Sequence, residues 1–502
     1  MYTRGRNSVF SFSSVTNSGY LYQLPFCTRS HSYLLSNLSM PSIVESSSEY
    51  DLIIVGAGVL GSAAAKAFGS DGRRVLLLER DLSEPDRIVG ELLQPGGVNA
   101  LTALGMEDCL EGIDGIPCHG YAIYRENEWV HIPYPVNDAT GENAVGKSFH
   151  HGRFIQKLRA AARDTKNVEV KEATVTSLIK DEDDDRVIGV LANPKDGKEE
   201  KFYAPLTLVA DGLFSKFRKE FTEKTPDVRS YFAGFEIKGL TMPMPNHGHV
   251  ILVDPSPVLM YQIGSNETRV LIDVPGKLPS IANGDLKRYF EESIAPQLPE
   301  SIRPKFLEAL QTERLRSMPN GFLPPSVNQN NGLIILGDAM NMRHPLTGGG
   351  MTVALQDVVL LKELLSPESI PSFTETDVII QQMGAFHWAR KRYCTAINVL
   401  AMALYRLFSA QDSDLAVLQR GCFEYFKCGG KCISEPCGLL SGLIQRPIVL
   451  IYHFFAVAVY ALVVEFKRAG WSQAHISFIK IFTVLYAACV TIFPYLWSET
   501  KN

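Results

Sequence analysis

The chain has 502 residues, enough for two or three domains with a substantial core. Its 49 basic and 54 acidic side chains nearly balance, and no basic run is interleaved with aromatics, so no nucleic-acid partner is expected. Nine cysteines at irregular spacing make no disulfide framework and point to a reducing environment for the main body.

Residues 1–48 are Ser-rich, carry Arg4, Arg6 and Arg29, and hold no acid before Glu45. They read as a disordered cytosolic tail, with a transit peptide as the alternative. Tyr50 to Asp81 then has the pattern of a βαβ unit. DLIIV is a buried strand, Gly56, Gly58 and Gly61 form G-x-G-x-x-G, and RVLLLE is a second strand ending in Glu79. The first glycine permits the turn, the second lets a pyrophosphate approach the backbone, and the third lets helix and strand pack closely. Glu79 stands where a carboxylate binds ribose hydroxyls, and an acid there favours FAD or NAD over NADP.

DRIVGELLQPGG follows, with Arg87 and Gln94 just ahead of a helix starting near Pro95; an exposed loop is the alternative. GYAIYRENEWVHIPYP alternates as a hairpin. His150 to Asp164 reads as a helix with Arg153 and Arg159 on related faces. His150 and His151 read as packing or capping residues, because adjacent histidines do not share a helix face. Val168 to Ala192 gives strands around an acidic, solvated turn at Asp181–Asp185. Leu206 to Phe221 opens with an apolar strand ending in Asp211-Gly212, and Ser215 and Arg218 stand one helical turn apart.

Residues 228–330 suggest an antiparallel sheet with a helical insert near 284–311. SPVLMYQIG, with Tyr261, has the apolarity to wall a cavity, although an ordinary packed core is the plainer reading. LIIL at 333–336 is a strand ended by Gly337-Asp338. Pro345, Gly348, Gly349 and Gly350 form a loop that opens a helix. A carboxylate at a strand end, followed by such a loop, can hold a polyol and offer backbone N–H groups to an anion. From about 384 the chain turns helical. Cys422, Cys428, Cys432 and Cys437 lack a C-x2-C pair and read as buried thiols rather than a metal site. Pro447–Phe466 and Ile476–Trp497 are apolar stretches of about 20 residues, the length that spans hydrocarbon. His453, Lys480 and Pro494 favour shallow embedding in one leaflet over a spanning hairpin or a soluble core pair.

GAGVLGS…LERD, LVADGLFSKFR and GDAMNMRHPLTGGGMTVA, in that order, resemble the FAD-dependent aromatic-hydroxylase-like monooxygenases. ERDLSEPDRIVGELLQPGG, ADGLFSKFRK, SPVLMYQI, FLPPS and HFFAVAVYA are similar to the squalene monooxygenase (squalene epoxidase) family, and the likeness runs from about residue 50 to the C-terminus. The resemblance implies an α/β plus antiparallel β fold: a Rossmann-type FAD domain, a mixed-sheet substrate domain and C-terminal membrane-associated helices. It divides the chain into a tail (1–48), three FAD-binding parts (49–120, 150–222, 331–383), a substrate-domain hairpin (121–149), a substrate domain (223–330) and a helical membrane-associated region (384–502).

The resemblance also implies a reaction, FAD-dependent conversion of squalene and O2 to (S)-2,3-epoxysqualene in sterol biosynthesis. NADPH–cytochrome reductase would donate the electrons, and the lack of a second dinucleotide fingerprint agrees with an outside donor. The implied address is the endoplasmic reticulum membrane, in contact with lipid, with the catalytic part facing the cytosol and the lipid droplet as a second location. Val59, Leu60, Glu79 and Arg80 would hold the adenosine–pyrophosphate end of FAD, Arg87 and Arg159 would contact the cofactor, and Val175 would lie by the adenine. Asp338 would bind the ribityl or pyrophosphate part, with Met351 beside the flavin. Tyr121 matches the family's activity-critical tyrosine, paired with Gln94, and Tyr261 would line the squalene channel. No metal ligand is implied. The competing expectations are an aromatic-ring hydroxylase on the same fold and a non-catalytic flavin- or lipid-binding membrane protein.

Overall fold

A computed structural model describes residues 49–126, 128–136, 141–195, 197–410, 412–469 and 474–501; the tail expected at 1–48 lies outside them. The chain enters through β1 (Leu52–Val55), α1 (Val59–Ser70) and β2 (Val75–Glu79). Short strands β3 (Leu92–Leu93) and β4 (Ile116–Cys118) flank α2 (Pro95–Ala103). The hairpin β5 (Gly120–Arg125) and β6 (Glu128–Pro133) precedes β7 (Gly146–Ser148) and α3 (His151–Arg163). Then come β8 (Val168–Lys180), β9 (Val187–Pro194), β10 (Glu200–Tyr203), β11 (Leu206–Val209) and α4 (Arg218–Phe221). Four longer strands follow: β12 (Asp227–Lys238), β13 (Gly248–Leu252), β14 (Val258–Gln262) and β15 (Glu267–Pro275). Helices α5 (Asp285–Tyr289) and α6 (Arg303–Thr312) lead to β16 (Arg316–Phe322), β17 (Leu333–Ile335) and α7 (Gly350–Leu364). The last part is helical: α8 (Thr376–Ser409), α9 (Ser413–Lys427), α10 (Lys431–Leu440), α11 (Pro447–Ala469) and α12 (Ala474–Thr500).

Two seven-stranded sheets carry the architecture. The first has the order β10-β9-β8-β2-β1-β11-β17, parallel from β8 to β17. Its central strands, LIIV, VLLLE and LTLV, are apolar on both faces, as a sheet sandwiched between helices requires. The second has the order β16-β12-β15-β14-β13-β5-β6 and is antiparallel except where β13 runs parallel to β5. A separate small sheet has the order β3-β7-β4.

The two-residue period of the second sheet sorts its side chains. Val258, Met260, Val270 and Ile272 face a core shared with Phe290 and Phe306 of the helical insert. Tyr121, Ile123, Leu259, Tyr261 and Leu271 face the opposite way, into an apolar cluster shared with the C-terminal helices.

Helix α8 runs unbroken through the boundary expected at 383/384, so the change of region falls inside an element rather than between elements. The boundary expected at 120/121 likewise falls within β5. No helix spans Ser215 to Arg218; the Ser215 hydroxyl instead accepts the Arg218 N–H at 3.1 Å, and α4 begins at Arg218. Pro447–Arg468 and Lys480–Thr500 are long and apolar enough to cross a membrane, by length and composition. His453 and Lys480, two of the polar groups in these stretches, have protein partners, whereas the buried Thr491 hydroxyl has none. His453 bonds Tyr425 and Glu435, at 2.9 and 2.7 Å, and Lys480 pairs with Glu465 at 2.9 Å.

Candidate active site

Strands β1, β11 and β17 lie side by side in register, so their C-terminal ends deliver Gly56, Asp211 and Asp338 to one edge. Gly56 has φ +102°, and a Cβ on it would lie 2.6 Å from the Ala210 carbonyl oxygen, so no other residue fits that crossing. A Cβ on Gly61 would collide with the Gly56 carbonyl at 1.8 Å, which makes Gly61 the close-packing glycine. At Gly58 a Cβ would meet nothing within 4 Å; that side of the loop is open and lines a cavity. Arg218 staples the edge together, donating from Nε to Ala339 O at 2.7 Å and from Nη2 to Asp338 O at 2.9 Å and Gly212 O at 3.2 Å.

The same cavity receives a second helix start. Gly348, at φ +61°, turns the chain into α7, and Gly350 has open space where a Cβ would stand. Neither α1 nor α7 has a side-chain N-cap, so the unpaired N–H groups of their first turns remain available to an anion. The buried Arg343, which also lines the cavity, has an Nε with no hydrogen-bond partner. Two uncapped helix starts, two glycines with room beside them and a guanidinium with an unsatisfied Nε fit a long dinucleotide carrying a pyrophosphate. Residues fit for FAD are therefore present.

The cavity holds about 1500 Å³ of empty space, part of it open to solvent. Its far wall is the apolar face of the second sheet, including Leu259, Tyr261 and Leu271. Between wall and glycine loops stands a buried polar cluster. Gln94 Nε2 donates to the Tyr121 hydroxyl and, at 2.8 Å, to Thr347 O. Gln94 Oε1 accepts from Tyr134 OH at 2.6 Å. The Gln94 amide thereby ties the sheet's tyrosine to the loop that starts α7. Burial pushes the Tyr121 phenol well above its ordinary value, so it stays neutral and can donate a hydrogen bond. Among the described residues no acceptor takes that proton.

Glu91 lines the cavity, and Arg269 grips it through Nε and Nη2, both at 2.8 Å, and reaches Glu236 at 2.9 Å. Burial raises the Glu91 carboxyl, while the Arg269 guanidinium pulls it back. Tyr261 OH lies 3.4 Å from Glu91.

Of the residues singled out from the sequence, Val59, Leu60, Arg87, Tyr121, Tyr261, Asp338 and Met351 line this one cavity. Gln94 stands directly behind Tyr121. Glu79 and Arg159 sit behind the glycine loop: Glu79 accepts the Ala57 N–H at 2.7 Å, and Arg159 donates to Ala57 O at 3.0 Å and lies 3.7 Å from Glu79. Arg80 is exposed just past β2, and Val175 is buried on β8; neither is in the cavity wall. Of the four clustered cysteines expected to be buried thiols, Cys422 and Cys437 are buried, whereas Cys428 is exposed and Cys432 half-buried; among the described residues no group of three or more His, Cys, Asp or Glu could hold a metal ion. Sequence reading missed Glu91, Tyr134, Arg269 and Arg343. Glu91 and Arg343 had a signal, since each is a lone charge inside a stretch that the fold buries.

The squalene epoxidase family model matches residues 203–479. The chain is 50 % identical over 451 residues to squalene epoxidase of Aspergillus fumigatus, covering 89 % of this chain and 93 % of that protein. It is also 50 % identical over 455 residues to squalene monooxygenase of Mus musculus, covering 90 % of this chain and 78 % of that protein. The chain belongs to the squalene epoxidase family. Among solved structures it is similar to PqsL of Pseudomonas aeruginosa, a probable FAD-dependent monooxygenase, with a TM-score of 0.56 and 20 % identity over 72 % of this chain and 97 % of that one. At that identity the likeness speaks to the fold, which is that of flavin monooxygenases. For a member of the squalene epoxidase family the cavity's two walls fall into place, one lined by glycine loops and one apolar.

Proposed function

We propose that this chain is an FAD-dependent squalene monooxygenase that converts squalene and O2 to (S)-2,3-epoxysqualene. The observation that carries the reading is the position of Tyr121 and Gln94, bonded to each other at the seam between the glycine loops and the apolar wall. A trisubstituted alkene is electron-rich and has no acidic proton to remove, so its epoxidation needs an electrophilic oxygen and not a general base. Bound and reduced FAD supplies that oxygen from O2.

The chain's own residues do the rest. Val59, Leu60 and the α1 start, with Glu79 and Arg80, hold the adenosine–pyrophosphate end, Arg87 and Arg159 contact the cofactor, and Val175 serves the adenine. Asp338 and Met351 lie along the part nearer the flavin, where the α7 start stabilises negative charge. Leu259, Tyr261 and Leu271 exclude water and accept an apolar chain. Tyr121, fixed by Gln94, orients the reacting end and holds its own proton. Segments 49–120, 150–222 and 331–383 form the cofactor domain, 121–149 and 223–330 the substrate domain, and the chain from 384 the membrane-associated region. Electrons come from NADPH–cytochrome reductase, and α11 and α12 embed in endoplasmic reticulum membrane or a lipid droplet surface.

The test is turnover of site variants with FAD loading measured in parallel. Tyr121→Phe and Gln94→Ala should lose about tenfold or more in epoxide formation while keeping FAD bound, since each removes a positioning contact. Unchanged turnover in both variants contradicts the assignment.

A further inference from the structure

The last turn of α12 sends one side chain into the protein, although Trp497 and Thr500 beside it are exposed. Glu499 is only 4 % exposed. It accepts hydrogen bonds from three side chains of α8: Asn398 Nδ2 at 2.8 Å, Thr395 Oγ1 at 3.2 Å and Lys391 Nζ at 3.2 Å. A buried carboxylate is costly unless such bonds persist, so these contacts fix the register of an otherwise apolar helix.

The polar run does not stop there. Asn398 Nδ2 also donates to Asn341 Oδ1 at 3.2 Å. That oxygen accepts Arg343 Nη2 at 2.9 Å, and the same Nη2 donates to Asn341 O at 2.8 Å. Asn341 is pinned from its other side by its Nδ2 bond to Leu323 O at 2.8 Å. Arg390, clamped by Asp357 at 2.9 Å through two bonds, lies 3.4 Å from Asn341 Oδ1 and closes the bundle. Asn341 and Arg343 belong to the loop between Asp338 and Gly348 that lines the cavity. Arg343 forms no carboxylate ion pair among the described residues, and its Nε is unsatisfied.

We infer that Arg343 is a further cofactor-facing residue, and that α12 positions it through Glu499, Asn398 and Asn341. Resting on the FAD reading above, this makes seating of the C-terminal helix and binding of an anionic part of the cofactor one coupled equilibrium. When α12 is displaced, Asn398 loses the Glu499 carboxylate, one of its two acceptors, so its hold on Asn341 loosens and the guanidinium loses its fixed aim. Coupling of this kind is reciprocal, so FAD must in turn tighten the seat of α12.

The experiment uses the full chain in lipid nanodiscs, stripped of flavin and titrated with FAD by fluorescence. Glu499→Ala and Arg343→Lys should each weaken FAD binding by about tenfold, within the usual range of intersite coupling. The double variant should lose little more than either single one, because both break the same run. Glu499→Gln, which keeps an acceptor for Asn398, should recover most of the loss. Hydrogen exchange on the unaltered chain gives a reading that needs no variant. FAD should slow exchange over residues 490–500 several-fold. Additive losses, wild-type affinity in Glu499→Ala, or exchange at α12 indifferent to FAD would overturn the inference. A chain that binds no FAD at any concentration contradicts the functional reading itself.

Discussion

Gly58 and Gly61 stand three residues apart in one loop and serve opposite purposes. The space beside Gly58 is kept for a ligand, whereas the space beside Gly61 is already filled by the Gly56 carbonyl. Gly58→Val should therefore fold normally, since φ −83° suits any residue, and lose about tenfold or more in FAD affinity, ~1.4 kcal/mol. Gly61→Ala should instead lower the melting temperature, costing roughly 1–3 kcal/mol by overpacking. A calorimetric scan beside a flavin titration separates the two effects. His151 supplies a pH dependence. Its Nδ1–H bonds Gly90 O at 2.8 Å, and burial lowers its pKa to about 4. An unfolded histidine titrates near 6.5, so between about 4 and about 6.5 the folded chain binds fewer protons than the unfolded one. Its stabilisation is thus complete above that window and is lost as pH falls through it, on the order of 3 kcal/mol in all. Melting of the cofactor-free chain should show a shallower acid decline in His151→Asn than in the unaltered chain.

At the scale of elements, the Glu91–Arg269 pair joins the segment before α2 to β15 across 178 residues. Removing one partner strands a buried charge, so Arg269→Met should destabilise by about 3–5 kcal/mol, while the double change Glu91→Leu/Arg269→Met should cost much less. Chemical denaturation of the single and double variants checks the difference. The pair was not legible in the sequence, because no local pattern couples residues so far apart. The βαβ unit and the α7 start were legible, because G-x-G-x-x-G and P-L-T-G-G-G leave a local trace of tight turns and uncapped helix starts. The sheet β3-β7-β4 left none, since strands of two or three residues have no period. The boundary expected at 384 falls inside α8, whose neighbours change from α7 to α9 and α12 along its length without a break in the backbone, so composition marks a change that the helix itself does not.

Across the whole molecule, a cofactor sheet and a substrate sheet meet at one cavity, and the C-terminal helices close over the substrate sheet's inner face. Helices α11 and α12 expose Tyr452, Phe482, Tyr486, Phe493 and Trp497. Aromatics of this kind suit a membrane interface, and squalene dissolves in bilayers. Removing residues 447–501 should therefore abolish activity on squalene presented in vesicles. It should also weaken FAD binding, through loss of Glu499. Which residues meet at the cavity was largely legible from the motif strings; that Gln94 links Tyr121 to the α7 loop needed the folded geometry.

The most direct test is an anaerobic-then-aerobic turnover. The full chain in membranes is mixed with squalene, NADPH and the reductase without oxygen, O2 is then admitted, and products are read by mass spectrometry. Epoxysqualene that forms only after O2 is admitted, and falls sharply in Tyr121→Phe, is the predicted result. Bound flavin that yields hydrogen peroxide and no epoxide would contradict it.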